Sequence, residues 1–539
     1  MKLNGYISDD AWWHFRQIKE VVETGHRLNP DIYEFTTLKR PMTYPPLFHY
    51  FVASSYKLVK MIDKGLSLII FTHFFNCLEG LLYILLIYWI ALAITNDPLF
   101  SLIGALGTSV AYGVIIRARA GELMPFVPSD LLAFAGILSL ILVLKNANNK
   151  RSILLCIISG ILFGLSTLAW SGAILIYLPL ALFAFLVLFF SKLGSTKQTP
   201  KLLLSFIVPF LLIFLPWYLP MFLKYGINPH PKEMDWFMKN FTVLHQVKPL
   251  SFYILTSGIP IFFVPIVLLI SFFKRNALNA FIILWIFLCA VATYTGWRGY
   301  VAVGPIISCV AISVGVSWIV HSIFKKESLF IPVIFIVIFL SVGISGYYVS
   351  DMRIKPLDPN NINEVRTNAF SIKMLEFLKQ KYPQAITVDH ITWISEDAAV
   401  GSLRMVGGQY LEYLPKGSSE VLKDISRIYL SDEDNAYKIC QKYNADLIIV
   451  RRQFLQLAQL SILFGPPELK SDDYFKITRE YEDSPDMTIN FTPLGMQTMF
   501  FKMLNRQQLK DFELVYAEQD KTTPLPFLVV YKVNKQLPQ

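Results

Sequence analysis

Residues 66–91 read LSLIIFTHFFNCLEGLLYILLIYWIA, 26 predominantly apolar positions in succession. An α-helix rises 1.5 Å per residue, so a run of about 20 such residues crosses a hydrocarbon core of roughly 30 Å. Working outward from this stretch, the same criterion selects 99–117, 125–145, 152–170, 172–191, 202–222, 251–273, 278–296, 300–320 and 328–350, about ten spans in all. The chain is 54% hydrophobic and 16% charged, against roughly 25% charged in soluble proteins. That apolar material lies between Leu66 and Val349, whereas Asp351–Gln539 reads as ordinary globular sequence. Three regions follow: a first external loop 1–65, helical in part, a transmembrane domain 66–350 with a polar loop 223–250, and a soluble α/β domain 351–539.

Loop charges orient the spans. Lys145/Lys150/Arg151, Lys192/Lys197/Lys201, Lys274/Arg275 and Lys325/Lys326 all fall on one side, which the positive-inside rule makes cytoplasmic. The opposite, non-cytoplasmic side receives 1–65, the turn Arg117–Met124, the loop 223–250, Trp297–Arg298 and the C-terminal domain. An even number of spans requires both ends on one side, in agreement with the charges. The expected location is therefore the cell membrane, with the soluble domain outside. A polar start of some 60 residues outside a membrane also leads us to expect one further span upstream of Met1.

The net charge of +10 resides largely in these short loops and calls for no nucleic-acid partner. Of the five cysteines only Cys440 lies in the soluble part, and their spacing gives neither a disulfide framework nor a zinc site. No cleavable signal peptide is visible, because Met1–Arg16 lacks an apolar stretch.

The polar residues outside the spans carry the candidate chemistry. Ser8-Asp-Asp-Ala-Trp-Trp-His-Phe-Arg16 opens a helical pattern; its adjacent carboxylates suit either a hard divalent cation or the capping of free amides. Arg117-Ala-Arg-Ala-Gly-Glu122 places two arginines and a carboxylate at the end of a span. Snorkelling accounts for them, but basic residues on the outer side run against the charge bias and suit phosphate. Arg298 has the same two readings. His245, in the loop 223–250, reads as a solvated loop residue, and Asn240-Phe-Thr and Asn490-Phe-Thr are outward-facing glycosylation triplets. In the C-terminal region Lys423–Tyr443 is mostly helical with a cap at Ser431–Asp434. Ala445–Val450 and Phe527–Tyr531 read as strands, giving a mixed α/β layer.

Taken together, Asp10-Ala-Trp-Trp-His-Phe-Arg16, Tyr44-Pro-Pro-Leu-Phe-His-Tyr50, Ile428–Ile439, Ala445-Asp-Leu-Ile-Ile-Val-Arg451, Phe491–Thr498 and Phe512-Glu-Leu-Val-Tyr516 resemble the oligosaccharyltransferase catalytic subunit family in its archaeal form. The resemblance covers nearly the whole chain and implies a polytopic helical membrane protein of the C-type glycosyltransferase fold. It implies Asp10 as a metal ligand, Arg117 and Arg298 facing the donor phosphate, and a divalent ion, Mn2+ or Mg2+. The implied partners are a lipid-linked sugar donor, a polypeptide acceptor and membrane lipid.

Several family positions differ here. The carboxylate pair expected after Ala120-Gly121 is replaced by Glu122-Leu-Met-Pro-Phe126, leaving Glu122 or Asp130 as substitute ligands. Thr242-Val-Leu-His245 matches a Thr-x-x-Glu pattern, with His245 in the place of the catalytic glutamate. The acceptor-gripping WWDYG motif is reduced to Thr392-Trp-Ile-Ser-Glu396, in which Trp393 is the acceptor-recognition candidate. The helix motif that follows it has no clear counterpart near Arg452–Leu460.

The implied function is transfer of a glycan from a lipid-phosphate donor to protein asparagine. Two alternatives keep the fold. One is a transferase moving a single sugar from a lipid monophosphate to another acceptor, and the other is a catalytically degenerate paralogue. A transporter fits less well, since no internal repeat is present.

Overall fold

The computed structural model describes residues 9–145, 149–190, 199–226, 259–273, 278–283, 285–286, 310–321, 369–390, 393–408, 416–452, 471–479, 487–519 and 526–535. They fall into two compact units. One runs from Tyr44 through the apolar helices; the other joins the segment up to Thr43 with the region from Asp358 onward. The stretch 1–65 expected as one loop is thus divided between them.

In the membrane unit, α2 (Leu47–Ile62) precedes α3 (Leu68–Thr95), α4 (Pro98–Val110), α5 (Tyr112–Ala118), α6 (Phe126–Lys145), α7 (Arg151–Ala169), α8 (Ala173–Phe190), α9 (Thr199–Tyr225) and α10 (Phe263–Phe273). Among the described residues four helices, α3, α6, α7 and α9, are long and apolar enough to cross a membrane. The expected span 99–117 is two helices, because Ala111 adopts extended backbone (φ −69°, ψ 116°) between α4 and α5. The span 251–273 is described from Ile259, as a 3₁₀ turn leading into α10. A further apolar helix covers Val310–His321, and 328–350 lies outside the described residues.

Helix ends follow local chemistry. The Ser67 side chain accepts from the Ile70 amide at the start of α3. Asp97 caps α4 through the Leu99 and Phe100 amides, with Pro98 in the first turn, where a missing N–H costs nothing. At the far end of α3, Lys145 donates to the Ala93 carbonyl at 2.5 Å and to Asn96 Oδ1 at 2.6 Å, satisfying a terminal carbonyl. Gly160 and Gly164 on α7 allow α9 to approach closely. A Cβ on Gly160 would lie 2.2 Å from the Phe206 carbonyl oxygen, and one on Gly164 2.9 Å from Ile213 Cβ.

The soluble unit is built on a five-stranded sheet in the order β2-β1-β3-β7-β6. Its strands are β1 (Ile386–Val388), β2 (Arg404–Met405), β3 (Leu447–Arg451), β6 (Phe512–Gln519) and β7 (Pro526–Val533). The strands β2, β1 and β3 run parallel, and β7 and β6 add antiparallel. A separate hairpin pairs β4 (Phe475–Arg479) with β5 (Met487–Phe491). The expected strands 445–450 and 527–531 are β3 and β7, and both are almost wholly buried. The expected helix 423–443 is two, Ser418–Leu430 and Glu433–Lys442. Asp432 caps the second through the Asn435 amide, so the turn predicted at Ser431–Asp434 breaks the helix.

The N-terminal segment belongs to this unit through both backbone and core. Met405 N donates to the Tyr33 carbonyl (2.7 Å), and Phe35 N and Thr36 N donate to the Gly407 and Met405 carbonyls. The segment thereby covers the open edge of β2. Phe35 enters the hydrophobic core with Met405, Val406 and Ile425. Gly408 lacks a side chain because a Cβ there would stand 2.7 Å from the Phe35 ring.

Two outcomes test these contacts. Gly160→Ala is expected to force α7 and α9 apart and destabilise the membrane unit by about 2 kcal/mol, read as a lowered unfolding midpoint in detergent. Glu34→Ala takes from Arg16 one of its two carboxylates and removes the one 3.7 Å from Arg40, and is expected to cost about 3 kcal/mol. A midpoint unchanged within about 0.5 kcal/mol would mean that this contact does not hold the segment in place.

Candidate functional site

The acidic motif lies on α1 (Asp9–Thr24), a helix of the soluble unit. Asp10 is half-buried in the first turn, with Trp12, Trp13 and His14 buried behind it. What fixes this helix is Arg16. Its Nη1 and Nη2 donate to Asp31 Oδ1 and Oδ2 at 2.8 and 2.9 Å, a bidentate pair, and Nη2 also donates to Glu34 Oε1 at 3.0 Å. Gln17 adds a bond to Asp31, Ser395 Oγ donates to Glu34 Oε1 at 2.8 Å, and Arg40 lies 3.7 Å from Glu34 Oε2. Burial raises the Glu34 carboxyl above its ordinary range, with Arg16 acting against it. Burial alone would lower Arg16, but Asp31 and Glu34 outweigh it and raise the guanidinium further, so it stays charged.

Trp393, the acceptor-recognition candidate, is 2% exposed. The Arg451 guanidinium lies over its ring at 4.7 Å. Arg451 also donates to Asp389 at 2.9 Å, to Ser371 at 2.8 Å and to Asp397 at 2.6 Å. Asp389 follows β1 and Arg451 ends β3, so the cluster occupies the carboxyl ends of adjacent parallel strands. There β2 and β3 lie on opposite sides of β1, a switch point that is the usual place for a ligand crevice in such sheets. Here that crevice holds ion pairs. Burial raises the Asp397 carboxyl well above its ordinary range, against the pull of Arg451.

In the membrane unit Arg117 lies in the last turn of α5 with its guanidinium over the Phe126 ring at 4.6 Å. Arg119 pairs with Glu122 at 3.2 Å, and Gly121 takes the left-handed turn between them (φ +93°). Asp130, the other substitute for the second acidic motif, accepts from Tyr83 Oη at 2.9 Å and from Tyr177 Oη at 2.5 Å. His245 and Arg298 lie outside the described residues, as does the Asn240 triplet. Asn490 sits in β5 opposite Lys476, and the Thr492 hydroxyl caps the helix that follows.

These positions do not make a complete divalent-ion shell. A hard cation takes about six oxygens, and among the described residues no three histidine, cysteine, aspartate or glutamate side chains converge as ligands. Glu122 is committed to Arg119 and both Asp130 oxygens to phenols. Sequence reasoning missed Asp31, Glu34, Asp389, Asp397 and Arg451, all far from their partners along the chain. For Asp130 and Glu79 the signal was present, since each interrupts an otherwise apolar run.

His14 supplies a pH test. Burial pushes its imidazole down to about 3 from the ordinary 6.5. Below pH 6.5 the unfolded chain therefore takes up a proton that the folded chain refuses. Stability contributed by neutral His14 is present above that value and is lost as pH falls toward 3, at up to about 1.4 kcal/mol per pH unit. The unfolding midpoint is expected to fall between pH 7 and pH 5, and His14→Phe to flatten that slope. An identical slope in the variant would show that another group sets it.

No protein-family model matches the chain. It is 30% identical over 187 residues to dolichyl-phosphooligosaccharide-protein glycotransferase 1 of Archaeoglobus fulgidus, an alignment covering 35% of this chain and 29% of that protein. Its structure is similar to that of the A. fulgidus oligosaccharyltransferase tethered to an acceptor peptide containing the NVT sequon. There the TM-score is 0.72 at 12% identity, over 99% of this chain and 85% of the other. The same enzyme in complex with Zn and sulfate gives 0.69 at 13% identity, covering 96% and 76%. ArnT from Cupriavidus metallidurans gives 0.53 at 14% identity, covering 84% and 90%. The chain therefore has the C-type glycosyltransferase fold, and over a third of its length its sequence is similar to an archaeal oligosaccharyltransferase.

Proposed function

We propose that the chain is an oligosaccharyltransferase-like membrane glycosyltransferase, moving a glycan from a lipid-phosphate donor to the asparagine of a polypeptide. The observation that supports this most is the likeness, along nearly the whole chain, to a transferase captured with a sequon peptide. In this reading the acceptor amide nitrogen attacks the anomeric carbon, and the bond from that carbon to the phosphate oxygen breaks. The phosphate leaves with the electron pair, and the amide proton passes to solvent or a base. Arg117 faces the phosphate and neutralises its growing charge. Arg298 joins it in that role, and His245 stands where the family places a catalytic glutamate. Asp10 is presented by α1, whose pose the Arg16–Asp31 pair maintains. The resemblance implies a divalent ion such as Mn2+ or Mg2+ with Asp10 as a ligand, and Glu122 is the candidate substitute for the family's second acidic motif. Among the described residues no carboxylate set supplies the roughly six oxygens such a cation takes. The soluble domain, on the non-cytoplasmic side, holds the acceptor next to Trp393.

A second reading has one observation in its favour. Trp393 lies buried beneath Arg451, whereas gripping an acceptor hydroxyl needs an exposed ring. This suits a relative that takes a sugar from a lipid monophosphate to a different acceptor.

The test incubates purified protein with lipid-linked oligosaccharide, a sequon peptide and manganese, beside Asp10→Ala and Arg117→Ala variants. Glycopeptide formation is expected, lowered about a hundredfold or more in each variant. Donor consumption without glycopeptide would select the second reading, and intact donor would exclude both.

A further inference from the structure

We propose that Asn76 and Glu79 of α3 form a subsite for the sugar hydroxyls of the lipid-linked donor, an inference that rests on the donor class proposed above. Asn76 is 0% and Glu79 3% exposed. Asn76 Oδ1, Asn76 Nδ2 and Glu79 Oε1 have no hydrogen-bond partner in the structure. Buried polar atoms are almost always satisfied, and those that are not call for a partner from outside the chain. Inside a membrane helix such residues face a working cavity far more often than they serve packing.

Position along the helix says which part of a lipid reaches them. Lys145 on the Ala93 carbonyl and Asn96 marks one boundary of the apolar layer. At 1.5 Å per residue, Glu79 stands about 24 Å and Asn76 about 29 Å along α3 from Thr95. With a hydrocarbon thickness of roughly 30 Å, the pair sits at the opposite boundary, where a lipid changes from chain to headgroup. The face they share continues one turn inward to Tyr83, which is bound to Asp130.

The neighbourhood separates phosphate from sugar. Gly80 follows Glu79, and a Cβ there would stand 2.7 Å from Ala118 Cβ, so the turn bearing Arg117 and Arg119 packs directly beside the pair. The Arg117 guanidinium suits the phosphate. The Glu79 carboxyl does not, because it brings no positive charge to a phosphate. A carboxyl group beside a carboxamide instead offers acceptors and a donor, one helical turn apart, to neutral vicinal hydroxyls. Arg117 then fixes the phosphate while Asn76 and Glu79 read the first sugar attached to it.

The test uses the full chain in nanodiscs with two probes, a polyprenyl-phosphate-linked hexose and bare polyprenyl phosphate. It compares wild type with Asn76→Leu and Glu79→Met, near-isosteric apolar changes suited to a buried helix face. Each variant is expected to bind the glycosylated lipid about tenfold more weakly and the bare phosphate as wild type does. Unchanged affinity for the glycosylated lipid, or an equal loss for both lipids, would overturn the subsite. If wild type binds both lipids alike, the subsite fails while the donor reading stands. If it binds neither, the donor reading fails and the subsite with it.

Discussion

Hydrocarbon offers no hydrogen bonds, and that constraint governs the membrane unit. Every peptide group in a span must be satisfied within its own helix, so the unit is helical wherever it is described as crossing. Side chains then have two ways to hold helices together. Small residues let backbones touch, as Gly160 and Gly164 do between α7 and α9. Polar groups bond across, as when Ser159 donates to the Gly136 carbonyl at 3.0 Å and Ser129 to the Ser166 carbonyl at 3.0 Å. Asp130 ties α3 and α8 to α6 through Tyr83 and Tyr177, spending both of its oxygens in doing so. Asn76 and Glu79 carry three buried polar atoms without such a bond, which is informative because the energetic cost is high.

The soluble unit answers to a related rule. Charges taken out of water must be paired and hydrogen-bonded, and two arginines carry this out in different places. Arg16 binds two carboxylates of the N-terminal segment and so holds the helix that bears Asp10. Arg451 binds carboxylates at the ends of β1 and at the start of the helix after Trp393. The first arrangement supports a candidate site, while the second fills a crevice that parallel sheets commonly leave open. Burying Trp393 under Arg451 is thus a local choice of packing with a functional consequence, since the ring is no longer presented as a surface.

Much of the fold was legible in the chain because its signals are local. Uninterrupted apolar runs mark spans, and Ala445–Val450 and Phe527–Tyr531 read directly as strands. The candidate site was less legible. Arg117 and Glu122 stood out as charges at a span end, but that Arg119 rather than Arg117 would take Glu122 depends on the left-handed turn at Gly121. The segment 1–65 looked like a single loop, because neither the edge of β2 nor the carboxylates awaiting Arg16 can be seen in local composition.

By itself the sequence determined that this protein spans a membrane many times and carries an α/β domain beyond the last span. Hydrophobic transfer and helix rise act along the chain and need no knowledge of what lies beside it. Tertiary structure alone decided which charges are spent and which are left over. Asp31 meets Arg16, Asp389 meets Arg451 and Asp130 meets two tyrosines, while the Asn76 carboxamide and Glu79 Oε1 are left without a hydrogen bond. The strength of an ion pair or hydrogen bond depends on distance and burial, and those are set only when separate segments pack together.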